Sequence, residues 1–152
     1  MRVTAMVAGL AMLVMACGEK APEAAETTET APVAEAPAAG GTTHEVQMVL
    51  EGADYKYVPA ALTIKAGDTV IFKSISGGLH NVQFYADSIP AGSAEALDAA
   101  ITNKQGPLAS ALVAEGDNIT ITFPAALPTG EYRFFCLPHQ MMGMHGMITI
   151  AE

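Results

Sequence analysis

Eight short runs of alternating or β-branched residues succeed one another from Glu45 onward: Glu45–Glu51, Tyr55–Pro59, Ala61–Asp68, Thr69–Ser74, Leu79–Phe84, Asn118–Phe123, Glu131–Cys136 and Gly146–Glu152. Each has the period of two that lets a strand bury one face and wet the other. Turn residues separate them, at Gly52, Ala66-Gly67-Asp68, Gly77-Gly78, Gly116-Asp117 and Thr129-Gly130. The pattern predicts an all-β sandwich or barrel of mostly antiparallel strands. One stretch departs from it. Ser93 offers an N-cap ahead of the helix formers Ala94 to Ile101, which predicts one short helix on the barrel's flank.

The first 42 residues read differently. Arg2 precedes an apolar run from Val3 to Met15, broken only by Thr4 and Gly9, and residues 1–16 therefore read as a secretory signal peptide. The run is shorter than the ~20 residues that span a bilayer. Val14-Met15-Ala16-Cys17 resembles the lipobox of bacterial lipoproteins, which makes Cys17 the candidate lipidation site and a membrane anchor. Residues 17–42 carry Ala, Pro, Thr and five Glu with Val33 as the single large aliphatic, so nothing there offsets chain entropy and the stretch is expected to be a solvated tether. Residues 43–152 form the head domain. The reading places that head, as a monomer, on the periplasmic side of a bacterial membrane.

Charge narrows the partners. The formal net charge is −9, of which the head carries −6 once the two basic and five acidic residues of the leader and tether are set aside. An acidic head of this kind repels nucleic-acid phosphates and steers toward basic protein faces. Cysteine use adds a constraint: with Cys17 lipidated, Cys136 is left without a disulfide partner in an oxidising compartment, and metal ligation is one way to occupy its thiolate.

Candidate chemistry concentrates around that cysteine. Cys136, His139 and Met144 sit within nine residues where one strand gives way to a Pro-shaped loop, and His80 follows the Gly77-Gly78 turn at the head of another strand. A thiolate, two imidazoles and a thioether make a soft set that suits copper rather than calcium or magnesium, and two His with one Cys plus a weak Met form a blue-copper electron-transfer site. His145 and the additional Met141, Met142 and Met147 are read as surface or packing residues, and His44 is given no role.

His80-Asn81-Val82, Phe84, Asp87, Ile89-Pro90-Ala91-Gly92 and Cys136-x-Pro138-His139-x4-Met144 together resemble the plastocyanin and pseudoazurin branch of the cupredoxins over about 108 residues. The resemblance implies an eight-stranded Greek-key sandwich and one type 1 copper held by His80, Cys136 and His139 in a plane with Met144 as the axial ligand. It also implies supporting roles for Asn81, Phe135 and Pro138, and docking of transient redox donors and acceptors at Leu79, His139, Met141 and Met142. The interval from His80 to Cys136 is longer than in a typical plastocyanin, and the surplus is assigned to the helix and the loop up to Leu112. The functional expectation is a one-electron carrier, not an enzyme, since only four His are present and a second catalytic metal site usually needs more. The alternative is a periplasmic copper chaperone or sequestering protein that uses the Met-rich loop.

Overall fold

The computed structural model describes residues 41–152. The expected signal peptide, Cys17 and nearly all of the expected tether lie outside the described residues. Ten strands and one helix follow: β1 (Thr43–Glu51), β2 (Asp54–Val58), β3 (Ala61–Lys65), β4 (Thr69–Ser74), β5 (Gln83–Phe84), α1 (Ala94–Ala100), β6 (Lys104–Gly106), β7 (Ala109–Ser110), β8 (Asn118–Thr122), β9 (Gly130–Phe135) and β10 (His145–Ala151). Every one of the eight sequence runs carries a strand. The sheets are β2-β1-β4-β8 and β3-β10-β9-β5-β7-β6. Two pairings are parallel, β1 with β4 and β3 with β10, and the rest are antiparallel, the mark of a sandwich whose strands cross between sheets.

The two additional strands fall in the surplus between His80 and Cys136. Neither is long enough to show a period of two, which is why the sequence pattern gives only a loop there. β7 nevertheless pairs with β5 at Gln83 and Ala109 and extends the second sheet. Asp98 ties this hairpin to the helix, accepting from the Leu108 N–H at 2.7 Å and the Lys104 ammonium at 2.7 Å. Ser93 occupies the N-cap of α1 as expected, but its hydroxyl donates back to the Pro90 carbonyl at 2.6 Å instead of capping the helix. Burial of Leu97 holds α1 in place.

The core is built from the inward faces of both sheets, with Phe134 at the centre of an aromatic cluster. Its ring meets Tyr57 edge-on at 4.8 Å and Phe72 at 5.5 Å, the orthogonal geometry that aromatic quadrupoles favour. Alternation along β9 buries Tyr132 and Phe134, then breaks, since Phe135 and Cys136 are both buried. Phe135 points away from the core and is covered by Tyr85, ring centroids 4.4 Å apart. This change of cover is how a strand ends on a buried cysteine.

At the tether junction, Asp68 accepts from the Thr42 N–H at 2.7 Å, the Lys65 N–H at 2.9 Å and the His44 ring at 2.9 Å. Burial pushes the Asp68 carboxyl upward, but these donors outweigh it and hold the group below the usual carboxylate range. Thr42, expected as the last tether residue, is thus fastened to the sandwich. His44, given no role from sequence, helps fasten it.

Gly146 faces Phe134 across the β9–β10 ladder, and a Cβ there would lie 2.3 Å from the ring's Cζ. Gly146→Ala is expected to overpack the core and lower stability by about 1–3 kcal/mol, measured as an earlier midpoint in urea unfolding of the head domain.

Candidate metal centre

The site is assembled from one loop and one turn. β9 delivers Cys136 in extended conformation, after which Pro138, in the first turn of a 3₁₀ segment (Leu137–Met142), sets the chain curling. Proline suits that position because its fixed φ matches the turn and the missing N–H has no helical partner to lose. Gly143 ends the segment at φ 84°, a left-handed conformation that glycine adopts without a Cβ penalty. The backbone then closes on itself: the Cys136 N–H donates to the Met144 carbonyl at 3.1 Å, the Met144 N–H to the His139 carbonyl at 3.2 Å, and the His139 N–H to the Cys136 carbonyl at 3.0 Å. Three of the four candidate donors therefore fix one another's main chain.

His80 arrives from the other side. Its backbone pairs both ways with Val113, at 3.0 and 2.8 Å, and its Nε2 lies 2.9 Å from the Ser76 carbonyl. A carbonyl only accepts, so Nε2 carries a hydrogen, and Nδ1 is the nitrogen whose lone pair the neutral ring offers. That Nδ1 faces Cys136 Sγ at 3.6 Å, and His139 Nδ1 faces the same sulfur at 3.4 Å. All three donor atoms lie within 4.8 Å of one another. Metal bonds of about 2.0 Å to nitrogen and 2.3 Å to sulfur, about 120° apart, separate such donors by about 3.7 Å, so the set fits one ion. His80, Cys136 and Met144 are fully buried and His139 retains 7% exposure.

Asn81 joins the two halves. Its side-chain oxygen accepts the Leu137 N–H at 2.7 Å and its amide nitrogen donates to the Ser110 carbonyl at 3.4 Å. Tyr57, not anticipated from sequence, completes the junction from below, its buried hydroxyl donating to the Asn81 carbonyl at 2.6 Å. Burial, reinforced by the facing Cys136 sulfur, holds that hydroxyl well above the usual tyrosine range. Ser76 and Tyr55 also went unanticipated. The Tyr55-Lys56-Tyr57 alternation signalled a strand, and nothing in it said what lay opposite.

The remaining sequence candidates separate cleanly. Leu79, Met141 and Met142 are exposed, Met141 almost completely at 96%. His145 lies on the outer face of β10, hydrogen-bonded through Nδ1 to the Tyr85 hydroxyl at 3.1 Å, and Met147 lines an open groove beside it. His145 does not join the three-donor cluster.

A family model for copper binding proteins of the plastocyanin/azurin family matches residues 44–151. This chain belongs to that family. It is 36% identical over 107 residues to plastocyanin from Vicia faba, covering 69% of this chain and 99% of the relative. The same identity and length link it to the chloroplastic plastocyanin of Pisum sativum, covering 69% of this chain but 58% of that one. Oxidised plastocyanin from Dryopteris crassirhizoma superposes with a TM-score of 0.55 at 26% identity, covering 71% of this chain and all of the fern protein. As a member of the family this chain is a blue-copper electron carrier whose cofactor is copper, and His80, Cys136, His139 and Met144 fit a type 1 site.

Protonation follows from burial. Burial pushes the Cys136 thiol up, while the Asn81 and His139 N–H groups and the Tyr57 hydroxyl pull it back without cancelling the effect. Burial also pushes His139 down, with His80 adding to the shift. The copper-free site near neutral pH thus holds a thiol beside a neutral His139. Cu(I) loading is expected to release about one proton per ion around pH 7, and apparent affinity to fall about tenfold per pH unit on acidification. The slope steepens once the solution is acid enough to protonate His139. Proton release in weakly buffered solution and competition with a Cu(I) chelator across pH check this. Asn81→Ala, which leaves the Leu137 N–H without its acceptor, is expected to cost about 1–3 kcal/mol in unfolding of the copper-free protein.

Proposed function

We propose that this chain is a membrane-tethered shuttle for single electrons on the periplasmic side of a bacterial membrane. In this reading His80 Nδ1, His139 Nδ1 and Cys136 Sγ would hold the metal, and Met144 would add a thioether. The observation that carries it is the convergence of those three atoms on one point from two separately anchored segments. Copper, when bound there, supplies a couple between Cu(II) and Cu(I). The protein's part is to keep the donors from moving as the charge changes. The closed backbone ring through Cys136, His139 and Met144 and the Asn81 link serve that end, and the burial of all four donors keeps water from the site.

Electrons would pass through the His139 side of the site, where Leu79, Leu137, Met141 and Met142 leave apolar surface exposed beside a ligand that retains slight exposure. An apolar contact of limited size suits a partner that must leave quickly. The head's charge of −6 favours a basic rim on that partner and encounter rates that fall with salt. Nothing in this scheme turns over a substrate. Cys17, as the lipid-bearing residue, would keep the head near membrane-bound donors and acceptors. The signal-peptide pattern of residues 1–16 supports that location.

The Met-rich run favours the carrier over the copper-handling alternative because it is divided among environments. Met144 is buried, Met141 and Met142 face solvent, and Met147 lies along β10 in the groove with Tyr85 and His145.

The decisive test uses the purified head domain. It is expected to turn intensely blue with Cu(II), to cycle reversibly at an electrode, and to lose the colour in Cys136→Ala and His139→Ala. Tight, colourless Cu(I) binding that survives Cys136→Ala and fails when Met141, Met142 and Met147 are replaced would instead establish copper handling. Leu79→Asp is expected to slow reaction with a protein partner roughly tenfold, about 1.4 kcal/mol, with the visible spectrum unchanged. Stopped-flow mixing at several salt concentrations measures it.

A further inference from the structure

The two imidazoles are secured by different means. His80 has its Nε2 fixed on the Ser76 carbonyl. His139 has no such bond: among the described residues its ring makes no polar contact other than that of Nδ1 with Cys136 Sγ. Its backbone is tied, but rotation about the Cβ–Cγ bond must be stopped by something else. A parallel aromatic face does this. The Tyr55 ring stacks on His139 with centroids 3.7 Å apart and planes 13° from parallel.

The seat for that ring is built into two other elements. β2 pairs in register with β1, setting Tyr55 opposite Leu50. On the remaining side, Gly77 adopts φ +97°, and a Cβ there would come within 2.9 Å of Leu50 Cβ, 3.0 Å of Tyr55 Cε1 and 3.4 Å of His80 Nε2. A missing side chain in the His80 turn thus leaves room for the ring that covers His139. Tyr55 is also near the other imidazole, 6.3 Å from His80 by centroids and tilted by 56°, while the two imidazoles are 4.8 Å apart. No hydrogen bond to another described residue engages the Tyr55 hydroxyl, so the ring face rather than the phenol makes the contact that matters.

Resting on the copper-carrier reading, we propose that Tyr55 is the positioning residue for His139, holding by face contact the ring that no hydrogen bond holds. Stacking of this kind leaves the edge of His139 free. A hydrogen-bonding group placed at the same ring would occupy that edge, on the side where a partner must approach. Tyr55 therefore reconciles a fixed ligand with an accessible one.

The first test needs no metal. In the copper-free, unmodified protein, proton NMR should show the His139 ring protons shifted upfield of their unfolded-chain positions by the Tyr55 ring current. Tyr55→Phe should keep that shift and Tyr55→Leu should lose it. With Cu(I) loaded, release to a competing chelator should quicken about tenfold or more in Tyr55→Leu, the scale expected when support for a ligand is removed. Tyr55→Phe should stay within about twofold of the unmodified protein if the face alone matters. Unshifted His139 protons in the unmodified protein would overturn the proposal even if Tyr55→Leu fails to fold. Folded Tyr55→Leu that releases Cu(I) at the unmodified rate would overturn it as well. Failure of the unmodified protein to bind copper, with the upfield shift intact, would refute the carrier reading while supporting the ring's placement by Tyr55.

Discussion

The hydrogen bond from the Leu137 N–H to the Asn81 side-chain oxygen is the point on which the copper end of this molecule turns. His80 belongs to a turn that follows β4, whereas Cys136, His139 and Met144 belong to the loop between β9 and β10. Neither segment alone carries the three clustered donors. Asn81 follows His80 and Leu137 follows Cys136, so a single bond of 2.7 Å sets the distance between the two halves one residue away from the donors themselves. Because the asparagine is fully buried, its amide has no water to turn to, and an alternative arrangement leaves a buried donor or acceptor unpaired. Tyr57 and Ser110 add the other contacts to the same residue.

The bond matters because burial works against the donors. A buried thiol is harder to ionise and a buried imidazole harder to charge, and both effects appear in the upward shift of Cys136 and the downward shift of His139. The site therefore waits for a cation in a low-charge state. Rigidity follows from the same contacts. For an electron carrier, a pocket that does not rearrange with oxidation state is worth more than one that binds either state as tightly as it can.

Much of this was legible in the sequence, for reasons that differ by residue. The strands showed because a sheet with one wet face imposes a period of two, visible in Thr69–Ser74, where buried and half-buried residues alternate, and in Asn118–Thr122, where buried and exposed ones do. Cys136, His139 and Met144 stood out because soft donors at short spacing in a strand-ending loop have few other uses, and His80-Asn81 because the pair follows two glycines. His145 was also placed correctly, since in β10 it lies on the outer face against Tyr85. What escaped was whatever depends on register or on one turn meeting another. β6 and β7 are too short to have a period. Tyr55 and Tyr57 share a face of β2, but which imidazole or carbonyl each meets is decided by the β1–β2 pairing and by the absent side chain of Gly77. The bond from Ser76 to His80 spans four residues within a glycine turn whose path the residue types do not dictate.

Crystal structures of the same head domain without metal and with Cu(II) bound test the central claim most directly. A pocket assembled by its own hydrogen bonds keeps the His80 Nδ1, His139 Nδ1 and Cys136 Sγ separations within about 0.5 Å between the two forms, with one ion bound to all three atoms and the Asn81–Leu137 bond intact in both. A metal-free form in which either imidazole has swung away or that bond has opened, or a loaded form in which the ion is bound by oxygen and nitrogen without the Cys136 sulfur, would contradict it.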